Sequence, residues 1–306
     1  MGKMGKRKSL PVILQQEGAL HAMLLLPVIF VLIYRYVPMA GIVLAFKDYK
    51  ARLGIFGSPW VGFDNFKTLF GMPGFTDSIR NTLIISISKI IMRIIIPVIF
   101  SLMLNEINKS GIKRTVQTIV YMPHFISWVL MAGIIIKILS QYGMVNKFLG
   151  NFGLGPYVFL ANRQTFPFIL VITDIWKEFG YSSIVYLAAI TGIDPNLYEA
   201  AEIDGAGRWR QTLHVTLPGM VPTLILMSAL ALGGVLDAGF DQVFNLYSPV
   251  VYQTGDILDT YIYRMAFLNS QFSLSTTASL FKSVIGCVLI VTSYRLAFKL
   301  SGYRIF

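Results

Sequence analysis

Charge is what this chain has least of. Only 13% of its 306 residues are Asp, Glu, Lys or Arg, against about 25% in a soluble globular protein. So few charges cannot cover a water-facing surface, so a soluble globular protein is excluded. Cysteine is nearly absent as well. Cys287 stands alone, which excludes an internal disulfide and a multi-cysteine metal site. Set in an apolar run, it reads as a packing residue. The three histidines, His21, His124 and His214, are far apart, and the sequence contains neither HExxH nor a G-x-x-x-x-G-K-[ST] phosphate loop. The chain therefore does not hydrolyse ATP by that route on its own. No nucleophile–base pair or metal cluster is visible, which argues against a membrane-embedded enzyme. No internal repeat or broken helix pair is evident, which argues against the main alternative, a self-sufficient secondary transporter of a polar solute. The first apolar stretch runs on to Phe46, too long for a cleaved signal peptide, so it is expected to be a retained first membrane helix. Lys6 breaks the myristoylation pattern.

What remains is greasy and basic. Hydrophobic residues make up 55% of the chain and the formal net charge is +11, with a mean hydropathy of +0.65. These values define an integral membrane protein, with all-α spans. Its positive charge belongs to cytoplasmic loops rather than to a nucleic-acid partner. A membrane helix needs ~20 mostly apolar residues. Six stretches qualify: 21–46, 82–104, 116–139, 165–190, 218–236 and 277–298. Lys3, Lys6, Arg7 and Lys8 precede the first. Lys109, Lys113 and Arg114 separate the second from the third. Arg208 and Arg210 separate the fourth from the fifth, and Lys299 and Arg304 follow the sixth. With six spans these groups share one side, so both termini are expected in the cytoplasm. The domain plan is a basic N-terminus over 1–20 and a single transmembrane domain over 21–306. Outer segments fill 47–81 and 238–276. The first holds GSPWVGFDNF with interfacial Trp60. The second reads as a cap or as re-entrant backbone lining a cavity.

One polar island faces the cytoplasm between spans four and five: DPNLYEAAEIDGAGRWRQTLHVTLP, residues 194–218. Asp194 suits an N-cap and Pro195 the first helical position. A helix then runs to Asp204, and Gly205 permits a left-handed C-terminal turn. A second short helix is expected from about Ala206 to Val215, with Leu217-Pro218 opening span five. Two short helices at a bend make either a protrusion that a partner grips or a passive amphipathic connector on the membrane.

This loop resembles the EAA loop of permease subunits of bacterial ATP-binding-cassette importers. Glu199-Ala200-Ala201 is followed after three residues by Gly205, and Val215-Thr216-Leu217-Pro218 closes the pattern with Val in place of Ile. YVPMAGIVLAFKDY, GSPWVGFDNF, YMPHFISWV and FNLYSPVVY are similar to the oligosaccharide branch, the maltose permeases and lipoprotein-B-like polysaccharide permeases. The resemblance implies a type I importer permease fold in a bacterial cell membrane. It implies a second homologous permease, two ATPase subunits and an extracellular solute-binding protein. ATP and Mg would be used by the partner ATPase, and no cofactor by this chain. Glu199 would be a polar contact to the ATPase, Ala200 and Ala201 small packing residues, Gly205 the bend beside Asp204, and Leu217 and Pro218 the start of the next helix.

Ionisable residues at membrane depth are expensive and usually functional. Arg35 lies in the first stretch, Lys89 and Arg93 four apart in the second, and Asp174, Lys177 and Glu178 in the fourth. Either they pair with acids in this chain or a partner, or Lys89 and Arg93 form a basic patch favouring sugars with carboxylates or sulfates. Sugar sites combine aromatic faces with amides and carboxylates. Trp176, Glu178, Phe240, Asp241, Gln242, Asn245, Tyr247, Tyr261, Tyr263 and Asn269 have that composition; the alternative for each is outer-loop folding.

Overall fold

A backbone in hydrocarbon must satisfy its own hydrogen bonds, and helices are the way an apolar chain does so. The computed structural model, which describes residues 10 to 301, is helical throughout; its only β pairing among the described residues is an isolated bridge between Lys47 and Trp60. Lys3, Lys6, Arg7, Lys8 and Arg304, used above for orientation, lie outside the described residues. The main helices are α1 (Leu10–Val31), α2 (Phe75–Asn105), α3 (Ser110–Tyr121), α4 (Trp128–Leu139) and α5 (Phe166–Thr191). They continue with α6 (Pro195–Ile203), α7 (Leu217–Gly233), α8 (Phe240–Leu246), α9 (Leu258–Tyr263) and α10 (Phe272–Ser301).

Five described helical runs are long and apolar enough to cross a membrane: Gly18–Phe46, Phe75–Asn105, Trp128–Gly150, Arg208–Gly233 and Phe272–Arg295. The fourth expected span, α5, has 26 residues but carries Asp174, Lys177 and Glu178 at its centre. Three expectations need correcting. The first span is not one regular helix: α1 begins at Leu10, ahead of the apolar run, and beyond Val31 the chain changes pitch into a π turn and a 3-10 stretch ending at Phe46, where Pro38 supplies no N–H. The third is not continuous: Pro123 starves the ladder of a donor, a 3-10 turn over Met122–Phe125 follows α3, and Ile126 and Ser127 are extended before α4. The second loop helix is no separate element: Arg208–Gln211 and a π turn over Thr212–Thr216 run straight into α7.

The core lies along α2 and α5. Ile85 of α2, Leu170 of α5, Met131 and Ile135 of α4 and Val243 of α8 share one buried cluster. Towards the end bearing α6, Val98, Tyr186, Ile190 and Met220 form another. Gly180 lets α3 lie directly on α5, since a Cβ there would strike the Val120 carbonyl. Gly180→Ala is expected to force the helices apart at a cost of about 1–3 kcal/mol, read as a lower melting temperature of the purified protein. An unchanged melting temperature would refute so tight an approach. Cys287, expected to pack, is instead exposed on α10 in this chain by itself.

The segment 238–276 folds back as short helices against α2 and α5. Polar side chains satisfy its interrupted backbone: Asn81 Nδ2 donates to the carbonyls of Gln253 and Asp256, each at 3.1 Å, and Thr82 Oγ1 accepts from Leu258 N at 2.8 Å. That is how non-helical backbone is tolerated beside a membrane. In the 47–81 segment Trp60 stacks on Phe46, with ring centroids 5.7 Å apart.

Candidate functional site

The polar island 194–218 has the cap chemistry its residues require. Asp194 Oδ1 accepts from Asn196 N at 3.0 Å, and Pro195 opens α6. At the other end Gly205 has φ +75°. Ala206 N donates to Ala201 O at 2.8 Å and Gly205 N to Glu202 O at 3.0 Å. These two bonds are a Schellman stop, which fixes the exit direction of the chain. The loop is tied back at two further points. Tyr198 Oη lies 3.0 Å from Thr216 Oγ1, and Arg208 Nη1 donates to Glu106 Oε2 at the end of α2 at 2.8 Å.

Glu199, Ala200, Asp204, Gly205 and Pro218 are exposed, whereas Ala201 and Leu217 are half-buried. The sequence reading missed the most telling residues of the tip. Ile203 is 87% exposed and Trp209 74% exposed. Large apolar side chains standing free on a rigid polar protrusion mark a contact surface. Their isolation between charges hid them in the sequence.

The second constellation sits half-way along the spans. Asp174, nearly fully buried, is its centre. Arg93 grips it bidentately, Nε to Oδ2 at 2.7 Å and Nη2 to Oδ1 at 2.8 Å. Lys89 Nζ stands 3.4 Å from the same Oδ1 and donates to Ala238 O at 2.7 Å and to Gln242 Oε1. Gln242, fully buried, spends its amide hydrogens on Leu170 O and Thr173 Oγ1, both at 2.8 Å. Nearby, Lys177 Nζ donates to His124 O at 2.6 Å and stands 3.2 Å from Glu178 Oε1, while Glu178 Oε2 meets His124 Nδ1 at 2.8 Å.

This geometry favours pairing over a basic patch. Lys89 and Arg93 are paired with Asp174 and Lys177 with Glu178, while Asp237 lines a cavity with Lys89 and Arg93. That cavity, about 270 Å³ between α2 and α7, is also lined by Ser86, whose hydroxyl has no hydrogen-bond partner among the described residues. Gln242 and Tyr261, expected along a substrate path, are instead enclosed. Gln242 is consumed by the hydrogen bonds above, and Tyr261 packs on Phe75 and Leu69 with its hydroxyl 3.3 Å from Pro73 O. Asp241 and Trp176 remain exposed, Phe240 and Asn245 half-buried, and Phe240 stacks on Phe244. Arg35 is exposed on the π turn of the first span and takes no part in these contacts. In the outer segment, burial first, with Tyr252 and Asp256 beside it, pushes the Tyr247 hydroxyl up to about 12, so it stays a neutral donor. Among the described residues no group of three or more His, Cys, Asp or Glu side chains could hold a metal ion.

The family of binding-protein-dependent transport system inner membrane components matches residues 93 to 302. The chain belongs to that family. It is thus an inner-membrane permease component of an importer. The polygalacturonan/rhamnogalacturonan transport system permease protein YteP of Bacillus subtilis (strain 168) is 40% identical over 97% of this chain and 93% of its own length. A chain in the crystal structure of a bacterial ABC transporter that imports the acidic polysaccharide alginate superposes with a TM-score of 0.87 at 39% identity, covering 94% of this chain and 98% of that one. The bacterial alginate ABC transporter in complex with an alginate pentasaccharide-bound periplasmic protein gives the same TM-score, 0.87, at 38% identity, over 96% and 99% of the two chains. The resemblance drawn from the EAA spacing and the oligosaccharide-permease motifs agrees with these relatives.

Proposed function

We propose that this permease component carries acidic oligosaccharides inward, and that its loop 194–218 docks on a separate ATPase. The observation that carries the reading is the loop: a capped, rigid bend presenting Glu199, Ile203 and Trp209 to the outside. The reading takes six spans, with α5 as the charged fourth, and both termini in the cytoplasm, so that the loop faces the ATPase. The complex comprises this chain, a second homologous permease, two ATPase subunits and an extracellular solute-binding protein. ATP and Mg act in the ATPase; the chain's own task is to form the path and transmit force. ATP binding draws the coupling loops together, and the spans rock between inward- and outward-facing states. The relatives' substrates support an acidic cargo, since alginate and polygalacturonan are carboxylate-bearing chains. Arg93, 45% exposed, keeps one face towards the cavity, and Trp176, Phe240, Asp241 and Asn245 supply stacking and hydrogen-bonding groups along the path.

The test is reconstitution. Purification of this chain from its native membrane is expected to bring an ATPase with it. Solute-binding protein loaded with oligogalacturonate or an alginate oligosaccharide is expected to stimulate ATP hydrolysis and uptake more than protein exposed to malto-oligosaccharide. Equal stimulation by the neutral sugar would remove the acidic assignment. Uptake driven by a proton or sodium gradient with this chain alone would remove the ATPase.

A further inference from the structure

The break in the third span is tied to α5 by several side chains of one short stretch. Pro123 ends the regular ladder, leaving main-chain carbonyls without helical partners. One of them, His124 O, accepts from Lys177 Nζ of α5 at 2.6 Å. The same ammonium, 6% exposed, lies 5.6 Å from the ring of Trp128, the first residue of α4. Glu178 holds the His124 ring, which lies flat on Tyr181, with centroids 4.0 Å apart and planes within 1°. Below the break, Gly180 takes the Val120 carbonyl of α3 against its backbone. Residues 177 to 181 of α5 thus touch both sides of the break.

The other end of α5 leads straight to the coupling loop. Only Gly192, Ile193 and Asp194 separate Thr191 from Pro195 of α6. Lys177 is fourteen residues, ~21 Å along a helix, from that end. A displacement of the loop is therefore delivered to the break through one rigid rod. Tyr121, the last residue of α3, has an enclosed hydroxyl with no hydrogen-bond partner among the described residues, and such a group costs free energy in this arrangement.

We propose that Lys177 is a positioning residue for transport. It binds the lower rim of α4 to the rod leading from the coupling loop, so that the break acts as the hinge between the two halves of the third span. The inference rests on the ATPase-coupled reading above. Lys177 needs no contact with the sugar for this role; its ammonium serves the His124 carbonyl, whose helical donor, the N–H of Trp128, is carried away by the extended Ile126 and Ser127. Arginine at this position retains a donor of similar reach, whereas methionine keeps the bulk and loses the bond.

The experiment uses the whole complex in proteoliposomes with its loaded solute-binding protein. Spin labels are placed at Ile119→Cys on α3 and Leu130→Cys on α4, both exposed sites, in a Cys287→Ser background. With Lys177 intact, the separation between labels is expected to change when ATP and vanadate are added. In Lys177→Met the labels are expected to stop following the nucleotide, ATP hydrolysis to continue, and uptake to fall about tenfold, within the usual range of coupling between sites. Lys177→Arg is expected to recover most of the uptake and the label response. A label separation that stays fixed through the cycle with Lys177 intact overturns the hinge, whether or not the methionine variant assembles. Wild-type uptake in Lys177→Met, or arginine no better than methionine, overturns the role of Lys177. Failure of the unmutated complex to import with ATP would instead strike the proposed function.

Discussion

Gly205→Pro is expected to abolish most ATP-driven uptake while leaving the membrane region folded and ATP hydrolysis running. Gly205 sits at φ +75° and its N–H donates to Glu202 O at 3.0 Å. Proline fixes φ near −65° and has no N–H, so it forbids both the turn and the bond. Nothing lies within 4 Å of a Cβ built at Gly205. Gly205→Ala therefore meets no clash and bears only the left-handed backbone cost of about 1–2 kcal/mol. Alanine should keep the bend at least partly, and proline should lose it. Glu199→Lys probes the same surface from the charge side. Glu199 is exposed and forms no ion pair among the described residues, so a loss on reversal is expected to arise at a partner. Uptake more than about tenfold below wild type is expected for proline and for Glu199→Lys, a scale set by coupling free energies of 1–3 kcal/mol. Substrate-stimulated ATPase activity divided by uptake is the readout. Wild-type uptake in both, at normal expression, would remove the coupling role.

The same loop shows what a sequence makes visible and what it hides. Asp194, Pro195 and Gly205 act through their own backbone, so the start and stop of α6 were legible from residue chemistry alone. The spans were legible because hydrocarbon demands long apolar runs. The break at Pro123 escaped because the residues around it are nearly as apolar as a continuous helix; the donor that serves the His124 carbonyl there arrives from Lys177, 53 positions from His124. The four-residue spacing placed Lys89 and Arg93 on one face, but their shared acid is 81 positions from Arg93. Gln242 was misread for the same reason. An amide among aromatics has the composition of a sugar site, and only folding reveals that its hydrogens are committed to α5. Local rules specify elements and caps, while charge partners and path-lining faces follow from packing between helices.

Asp174→Asn is expected to have the largest effect on stability of any single change in the membrane region. Asparagine preserves shape and removes the one charge that Lys89 and Arg93 share. Arg93 is 45% exposed and has room to turn towards the cavity. Lys89 is 4% exposed and has none. It would remain a buried ammonium facing only Ala238 O and Gln242 Oε1. Removing one partner of a buried pair costs about 3–5 kcal/mol, whereas removing both together is often nearly neutral. Lys89→Met alone leaves Gln242 Oε1 without its donor, a cost of about 1–3 kcal/mol. The expected order of melting temperatures is therefore wild type, then Lys89→Met, then Asp174→Asn. Adding Lys89→Met to Asp174→Asn should raise the melting temperature rather than lower it further. That reversal separates the pair from a substrate site. If Lys89 instead served mainly to hold the sugar's carboxylate, Lys89→Met would spare the melting temperature and impair acidic oligosaccharides alone. The hydrogen bonds to Ala238 and Gln242 predict the opposite: a less stable permease in which acidic and neutral sugars lose uptake alike.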